Sequence, residues 1–473
     1  MEISKKKLIK EYTKAIEEGR AGIFAGAGLS IDSGYVNWKE LMRPFAEELH
    51  LEIDKEKDYL AVAQYYRNQS GTRASINRSI LAEFSKEWKD NENVDIITRL
   101  PIKTFWTTNY DKLIEKGLEK NHKRADVKVF SSQLTTSIPN RDAIVYKMHG
   151  DVEHPAEAVL TKDDYVLYDK ERPMFRTVLE TDLLSKTFLF IGFSFEDPNI
   201  DYILNQIHAI MGENISEHYW FFKKIQRKEC VDDAEFEYKS LQQRFRVSDL
   251  ERFGIRTVYI NDYSEISEVL KEIELCVKRR NVFISGSSDD YGTWDEDKAK
   301  ELISGLSERL IKEDFKIISG FGRGVGSYII NGALTEIWHS KYRHTSDYLH
   351  LYPFQIGVKD DAEKKRTYIR YRKDMISDSR VAIFVFGNKK DDDGKIVEAD
   401  GCIEEFQIAK ENKDIIIPIG STGYAANSIL NEIKTNIGKY PYLEDYLGIL
   451  ETETDISKII DTVIAIAKKN TKI

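Results

Sequence analysis

The sequence predicts an α/β protein of two domains, each a parallel sheet covered by helices. Three observations carry that expectation. Short apolar runs rich in β-branched and aromatic residues recur along the chain, and stretches with apolar residues at helical spacing separate them. The length, 473 residues, accommodates two to three domains at about 150 residues each. An apolar share of 41% with 27 Gly and 9 Pro excludes collagen-like, mucin-like and largely disordered chains.

The chain opens on charged residues at helical spacing instead of an apolar leader, and no run of about 18 apolar residues follows, so a cytoplasmic protein with no membrane partner is expected. Strands are expected at 22–25, 103–107, 143–147, 187–191, 219–222 and 255–260. Between Ser33 and Arg99 only helices are legible, at 38–49 and 58–67; they are read as a helical insertion over one edge of the sheet that forms a cleft wall. An amphipathic helix over 264–280 ends in Lys278-Arg279-Arg280, cations that suit a helix C-terminus. The domain boundary is placed there, giving domains 1–280 and 281–473.

The second half repeats the style more regularly. Strands at 282–284, 315–318, 348–352, 381–386 and 415–419 start about 33 residues apart, room for a strand, a loop, a helix and a return. Ankyrin repeats share that period, but the T-P-L-H signature is missing and the units begin with buried-strand runs. Two Rossmann-like domains with parallel sheets are the expectation. The run Lys389 to Gly394 is read as a solvated loop.

Charge and cysteine content narrow the function. Seventy Lys+Arg against 80 Asp+Glu give a net charge of −10, so no global field recruits nucleic acid, and anion binding has to be local. Three scattered cysteines, Cys230, Cys276 and Cys402, with no CxxC or Cys/His cluster, favour neither a disulfide framework nor a metal site.

The first candidate site lies at strand ends in the N-terminal half. Gly26-Ala27-Gly28-Leu29-Ser30 follows the first strand, where glycines let backbone approach a pyrophosphate. Ile31 occupies the third-glycine position of G-x-G-x-x-G, so alone the loop fits a tight turn equally well. Later strands lead into Thr108-Asn109-Tyr110-Asp111, Met148-His149-Gly150-Asp151, Gly192-Phe193-Ser194 and Asn261-Asp262. Singly, Asn109 and Asp111 read as helix caps and His149 as a structural histidine. The ensemble argues for a site, because ligands of open α/β sheets bind outside the carboxyl ends of the strands.

That ordered set resembles the sirtuin family of NAD-consuming enzymes, from Ala21 to Tyr263. The resemblance implies that Gly26, Ala27, Gly28 and Ser30 hold the NAD+ pyrophosphate, that Asn109 and Asp111 position the nicotinamide ribose and nicotinamide, and that His149 is the catalytic base. Gly192 belongs to the same cofactor site, with Ser194 and Asn261 beside the adenosine ribose. Two departures stand out: Tyr35-Val36-Asn37-Trp38 follows Gly34 in place of a Pro-Asp-Phe-Arg element, and the four-cysteine zinc ribbon of protein deacylases is absent. Loss of the ribbon argues against peptide deacylation and leaves NAD+ cleavage untouched. Breaking the nicotinamide–ribose bond passes through an oxocarbenium-like centre that positioning and electrostatics stabilise without a metal. His149 can take a proton from a ribose hydroxyl or from water, while the Asn109 amide orients either.

The second candidate site uses Ser285-Gly286-Ser287-Ser288 and the glycine-rich run Gly320, Gly322, Arg323 and Gly324, which is neither a Walker A loop nor G-x-G-x-x-G. Close approach to an anion explains it better than a turn alone. Downstream, Arg366, Arg370 and Lys373 fall on one helical face with Arg372 displaced from it, and Gly401-Cys402-Ile403-Glu404-Glu405 precedes the last core strand. This arrangement resembles the SLOG nucleotide-binding family over 282–420; without that family's enzymatic Pro-Gly-Gly stretch, sensing is favoured over glycosidase chemistry. Ser285, Gly286, Ser287, the glycine run, Arg370 and Arg372 would hold phosphates, and Glu404 or Glu405 ribose hydroxyls. Adjacent helical residues point about 100° apart, so only one of the two glutamates is expected to face the ligand.

A sirtuin-like half joined to a SLOG-like half resembles the effectors of the Thoeris anti-phage defence system. That resemblance implies an NADase held inactive until a cyclic ADP-ribose-type signal, made by a TIR-domain partner, binds the C-terminal domain, in a homo-oligomer of four or more chains. Two rivals remain: a deacylase or ADP-ribosyltransferase at the same NAD+ site, and a non-catalytic nucleotide sensor.

Overall fold

The computed structural model describes residues 3–212, 215–341, 343–354 and 361–471. The chain divides into two compact units, Met1–Val277 and Lys278–Ile473.

Unit 1 is built on seven strands: β1 (Ala21–Ala25), β2 (Thr104–Thr107), β3 (Ala125–Lys128), β4 (Ala143–Lys147), β5 (Thr187–Ile191), β6 (His218–Lys223) and β7 (Ile255–Ile260). All pair in parallel, in the order β3-β4-β2-β1-β5-β6-β7. Successive residues of the central strands feed opposite cores. Ile23, Phe105, Leu189 and Ile191 join the apolar cluster on one face, and Phe24, Trp106, Phe188 and Phe190 the cluster on the other. Burial on both faces is why these strands read as unbroken apolar runs.

Four helices, Trp38–Glu48, Tyr59–Ser70, Ala74–Phe84 and Glu92–Arg99, connect β1 to β2. The expectation of an insertion over the sheet edge needs correction. Leu41, Phe45, Val62, Ile76, Ile80 and Ile97 pack into the core of one face with Ile23 and Leu189. The connected strands are neighbours in mid-sheet, so the connection crosses a face. β3 escaped sequence reading because its alternate residues Asp126 and Lys128 are charged; they are buried as an ion pair of 2.7 Å, with Arg141 also on Asp126 at 2.6 Å. Inward charges of this kind suit an edge strand.

Unit 2 holds five parallel strands, β8 (Asn281–Ser287), β9 (Lys316–Ser319), β10 (Leu349–Leu351), β11 (Val381–Phe386) and β14 (Ile415–Ile419), in the order β10-β9-β8-β11-β14. Between the last two lies an antiparallel hairpin, β12 (Asn388–Lys390) with β13 (Ile396–Glu398). The run Lys389 to Gly394 is therefore a strand end and its turn, closed by the Asp391 and Lys395 backbones, and not only a solvated loop. In both sheets the chain reverses direction about one strand, β1 in unit 1 and β8 in unit 2. Each therefore opens a crevice at its carboxyl edge.

Candidate functional site

In unit 1 the loops after β1, β2 and β5 meet at that crevice. Gly26 N–H donates to Ile191 O and Gly28 N–H to Gly192 O, both at 2.9 Å. A Cβ on Gly26 would come within 2.4 Å of Gly192 O, and one on Gly192 within 2.1 Å of Leu29 N. The glycines thus allow two backbones to lie against each other, a demand that precedes any approach to a phosphate.

Asn109 sits on this platform. Its amide donates to Gly26 O at 3.0 Å and to Ser30 Oγ at 2.9 Å. Ser30 in turn donates to Asp111 Oδ2 at 2.7 Å, while Asp111 Oδ1 accepts the Leu113 N–H at 3.0 Å. Lys112, not Asp111, occupies the N-cap of the helix Leu113–Lys120, so Asp111 is not its cap; it accepts the first helical N–H and ties that helix start to the glycine turn. Beneath, the fully buried Lys147 reaches the carbonyls of Tyr110 and Asp111 and the carboxylates of Asp151 and Glu115. Sequence reading missed this lysine because it ends an apolar strand with its charge directed inward.

A cavity of ≈ 890 Å³ opens over these loops, within the size range of small-molecule sites, about 300–1,000 Å³. Of the residues expected at the NAD+ site, Ala27, Gly28, Gly192 and Ser194 line it. Ser30, Asn109 and Asp111 instead face an adjoining pocket of ≈ 10 Å³, room for about one water. Ala27, Asn37, Trp38 and Thr108 border both. Asn261 is exposed at the end of β7, two strands from β5, and is not brought to the cavity.

His149 is fully buried and does not line the cavity; its neighbours Tyr165 and Asp197 do. Nε2 stands 3.2 Å from Asp197 Oδ2, outside hydrogen-bonding angles, and neither ring nitrogen has a hydrogen-bond partner among the described residues. Burial holds the imidazole below its ordinary pKa, with Asp197 opposing that shift and Arg172 adding to it. The insertion supplies Trp38, Lys57, Asp58 and Tyr59 as one cavity wall. Asp197-Pro198 carried a readable signal, an N-cap before a first-turn proline immediately after a strand-end loop.

Unit 2 presents a second cavity of ≈ 950 Å³ at the carboxyl ends of β8 and β9. Ser285, Gly286, Ser287, Gly320, Gly322, Arg323, Arg372, Glu404 and Glu405 line it. Arg372 is its centre: Nη1 donates to Glu404 at 2.6 Å and Nε to Glu405 at 3.3 Å, with the Phe354 ring 4.9 Å from the guanidinium carbon. A Cβ at Gly401 would fall 2.5 Å from Arg372 Nη2, so this glycine makes room for the guanidinium. Both glutamates face the cavity, contrary to the expectation of one, because the guanidinium fork approaches from a neighbouring helix and spans them. Glu405 is buried and accepts Ser285 Oγ at 2.6 Å; burial raises its pKa.

Arg370 lies two positions from Arg372 on the same helix and is exposed, outside the cavity. Two positions turn a helix by about 200°, which separates the pair. Gly324 also stays outside, its carbonyl accepting the Tyr291 hydroxyl at 2.7 Å. Sequence reading missed Phe354, Tyr368, Lys365 and Lys389 in the lining; scattered aromatics and lysines carry no spacing signal. Among the described residues, no cluster of His, Cys, Asp or Glu has the form of a metal site, and no helix is long and apolar enough to cross a membrane.

The two units correspond to recognised domain classes. Residues 103–243 match the SIR2-like domain and residues 265–470 the Sir2- and TIR-associating SLOG family. Proteins named NAD(+) hydrolase ThsA are similar over almost the whole chain. Those of Bacillus cereus (strain MSX-D12), Acinetobacter baumannii (strain 532279) and Enterococcus faecium are 45%, 42% and 40% identical. These alignments cover 96%, 98% and 98% of this chain and 96%, 99% and 98% of the respective relatives. The chain belongs to this family, the ThsA NAD(+) hydrolases.

Proposed function

We propose that this chain, an NAD+ hydrolase by family, converts NAD+ and water to nicotinamide and ADP-ribose in unit 1 when a cyclic ADP-ribose-type signal occupies unit 2, and that the resulting NAD+ loss serves anti-phage defence. The observation that carries the reading is the joining of Asn109, Ser30, Asp111 and the Gly26 turn in one hydrogen-bonded unit at the sheet's switch point. The pyrophosphate lies against Ala27 and Gly28, and the adenosine end near Gly192 and Ser194. The nicotinamide ribose faces Asn109, which requires the small pocket beside it to widen. As the C1′–N bond breaks, nicotinamide leaves with the electron pair, water bonds to C1′, and His149 takes the water's proton.

In unit 2, Arg323 and Arg372 meet the signal's phosphates, and Glu404 or Glu405 its ribose hydroxyls. A TIR-domain partner produces the signal, and the chain acts as a cytoplasmic homo-oligomer of four or more copies. Purified protein incubated with NAD+ and the signal is expected to release nicotinamide and ADP-ribose. Asn109→Ala and His149→Ala each lower that rate by about 100-fold or more. Unchanged nicotinamide release by both variants sinks the site assignment, and release that depends on an acylated peptide favours a deacylase.

A further inference from the structure

We propose that Asp197 is the positioning residue of His149: its carboxylate, anchored at one oxygen by the helix it caps, presents the other to His149 Nε2 as counter-charge to the imidazolium. The inference rests on the reading of His149 as the base. Asp197 ends the loop after β5, and Pro198 begins the helix Pro198–Met211. Oδ1 accepts the N–H groups of Asn199 at 2.9 Å and Ile200 at 3.2 Å. An N-cap needs no more than one oxygen. Oδ2 has a separate setting: it accepts the Tyr165 hydroxyl at 3.0 Å and stands 3.2 Å from His149 Nε2.

The groups around His149 make that carboxylate consequential. The Tyr165 and Tyr168 rings meet the imidazole edge-on, at centroid separations of 5.4 and 6.4 Å. The Tyr168 hydroxyl donates to Met148 O, and the Tyr110 hydroxyl to Val159 O. Arg172 is committed to the carbonyls of Val129, Met148 and Glu157 and disfavours a second positive charge nearby. Asp197 is the acidic group acting against burial and Arg172. In the proposed step, Oδ2 faces Nε2 as its counter-charge at 3.2 Å, Nδ1 takes the proton from water as the C1′–N bond breaks, and the proton stays on the imidazole without passing to Asp197. The proton then passes from the imidazolium to solvent.

Asp197→Asn and Asp197→Ser test this, because both side chains still cap the helix and neither carries charge. The measurement is the NMR titration of His149 in the full-length protein with labelled histidine, its signal assigned by its loss in His149→Gln. In both variants the midpoint is expected to fall by about one pH unit or more. Coincident midpoints, or a wild-type His149 that does not titrate above pH 5, overturn the proposal. Nicotinamide release with a panel of cyclic ADP-ribose isomers separates the two layers. Wild-type rates in His149→Gln defeat the base assignment itself. An inactive His149→Gln beside Asp197 variants with unmoved midpoints and rates defeats the role of Asp197 alone.

Discussion

Gly192 has a left-handed backbone, φ +65°, and a side chain there would strike Leu29 N. Gly192→Ala combines backbone strain with a collision that neither loop can relieve cheaply, and is expected to cost about 2–4 kcal/mol. Denaturant unfolding measures that loss directly, and a loss under about 0.5 kcal/mol contradicts the packing role given to the glycines. His218 carries a different residue-scale consequence. Its Nδ1 accepts the Phe188 N–H at 3.1 Å, which requires an unprotonated nitrogen, and burial lowers its pKa from 6.5 to about 4. The unfolded chain therefore binds a proton below pH 6.5 that the folded chain refuses until about pH 4. Stability falls as pH drops through that window, by about 2 kcal/mol between pH 7 and pH 5 from this group. His218→Asn is expected to remove that share of the slope when unfolding is followed against pH.

Element by element, the legibility of the fold tracks burial. β4, β5, β7, β11 and β14 run over the residues expected of them, because each is an apolar run enclosed by helical text. β3 and the β12–β13 hairpin were illegible, since Asp126, Lys128, Lys389 and Lys390 interrupt the apolar runs that mark the other strands and the strands are only three or four residues long. The site divides in the same way. The turn glycines and Asn109 stand in motifs at strand ends, and the Glu404–Glu405 pair in a Gly-x-x-Glu-Glu motif within the helix Asp400–Glu411. Lys147, Tyr165, Asp197, Phe354 and Tyr368 take their surroundings from elements far along the chain, as with Tyr165 meeting Asp197. Spacing separates Arg372 from the exposed face of its helix but does not show that two glutamates converge on it.

At the scale of the whole molecule, two crevices in one chain can govern a single activity only if the signal binds the active arrangement more tightly than the resting one. Turning a population from about 1% active to about 99% takes roughly 5.5 kcal/mol of differential affinity. Under the proposed gating Arg372 is the group that contributes, since its present partners are Glu404 and Glu405 and a signal phosphate would compete for the same guanidinium. Asn109 and His149 do not face the larger unit 1 cavity in this structure. The most direct test is nicotinamide production from NAD+ by the purified chain, with and without each cyclic ADP-ribose isomer, for wild type and Arg372→Ala. The account predicts hydrolysis that appears with one isomer in the wild type and is lost in Arg372→Ala. Hydrolysis indifferent to every isomer, or an Arg372→Ala protein that responds at the wild-type concentration, contradicts it.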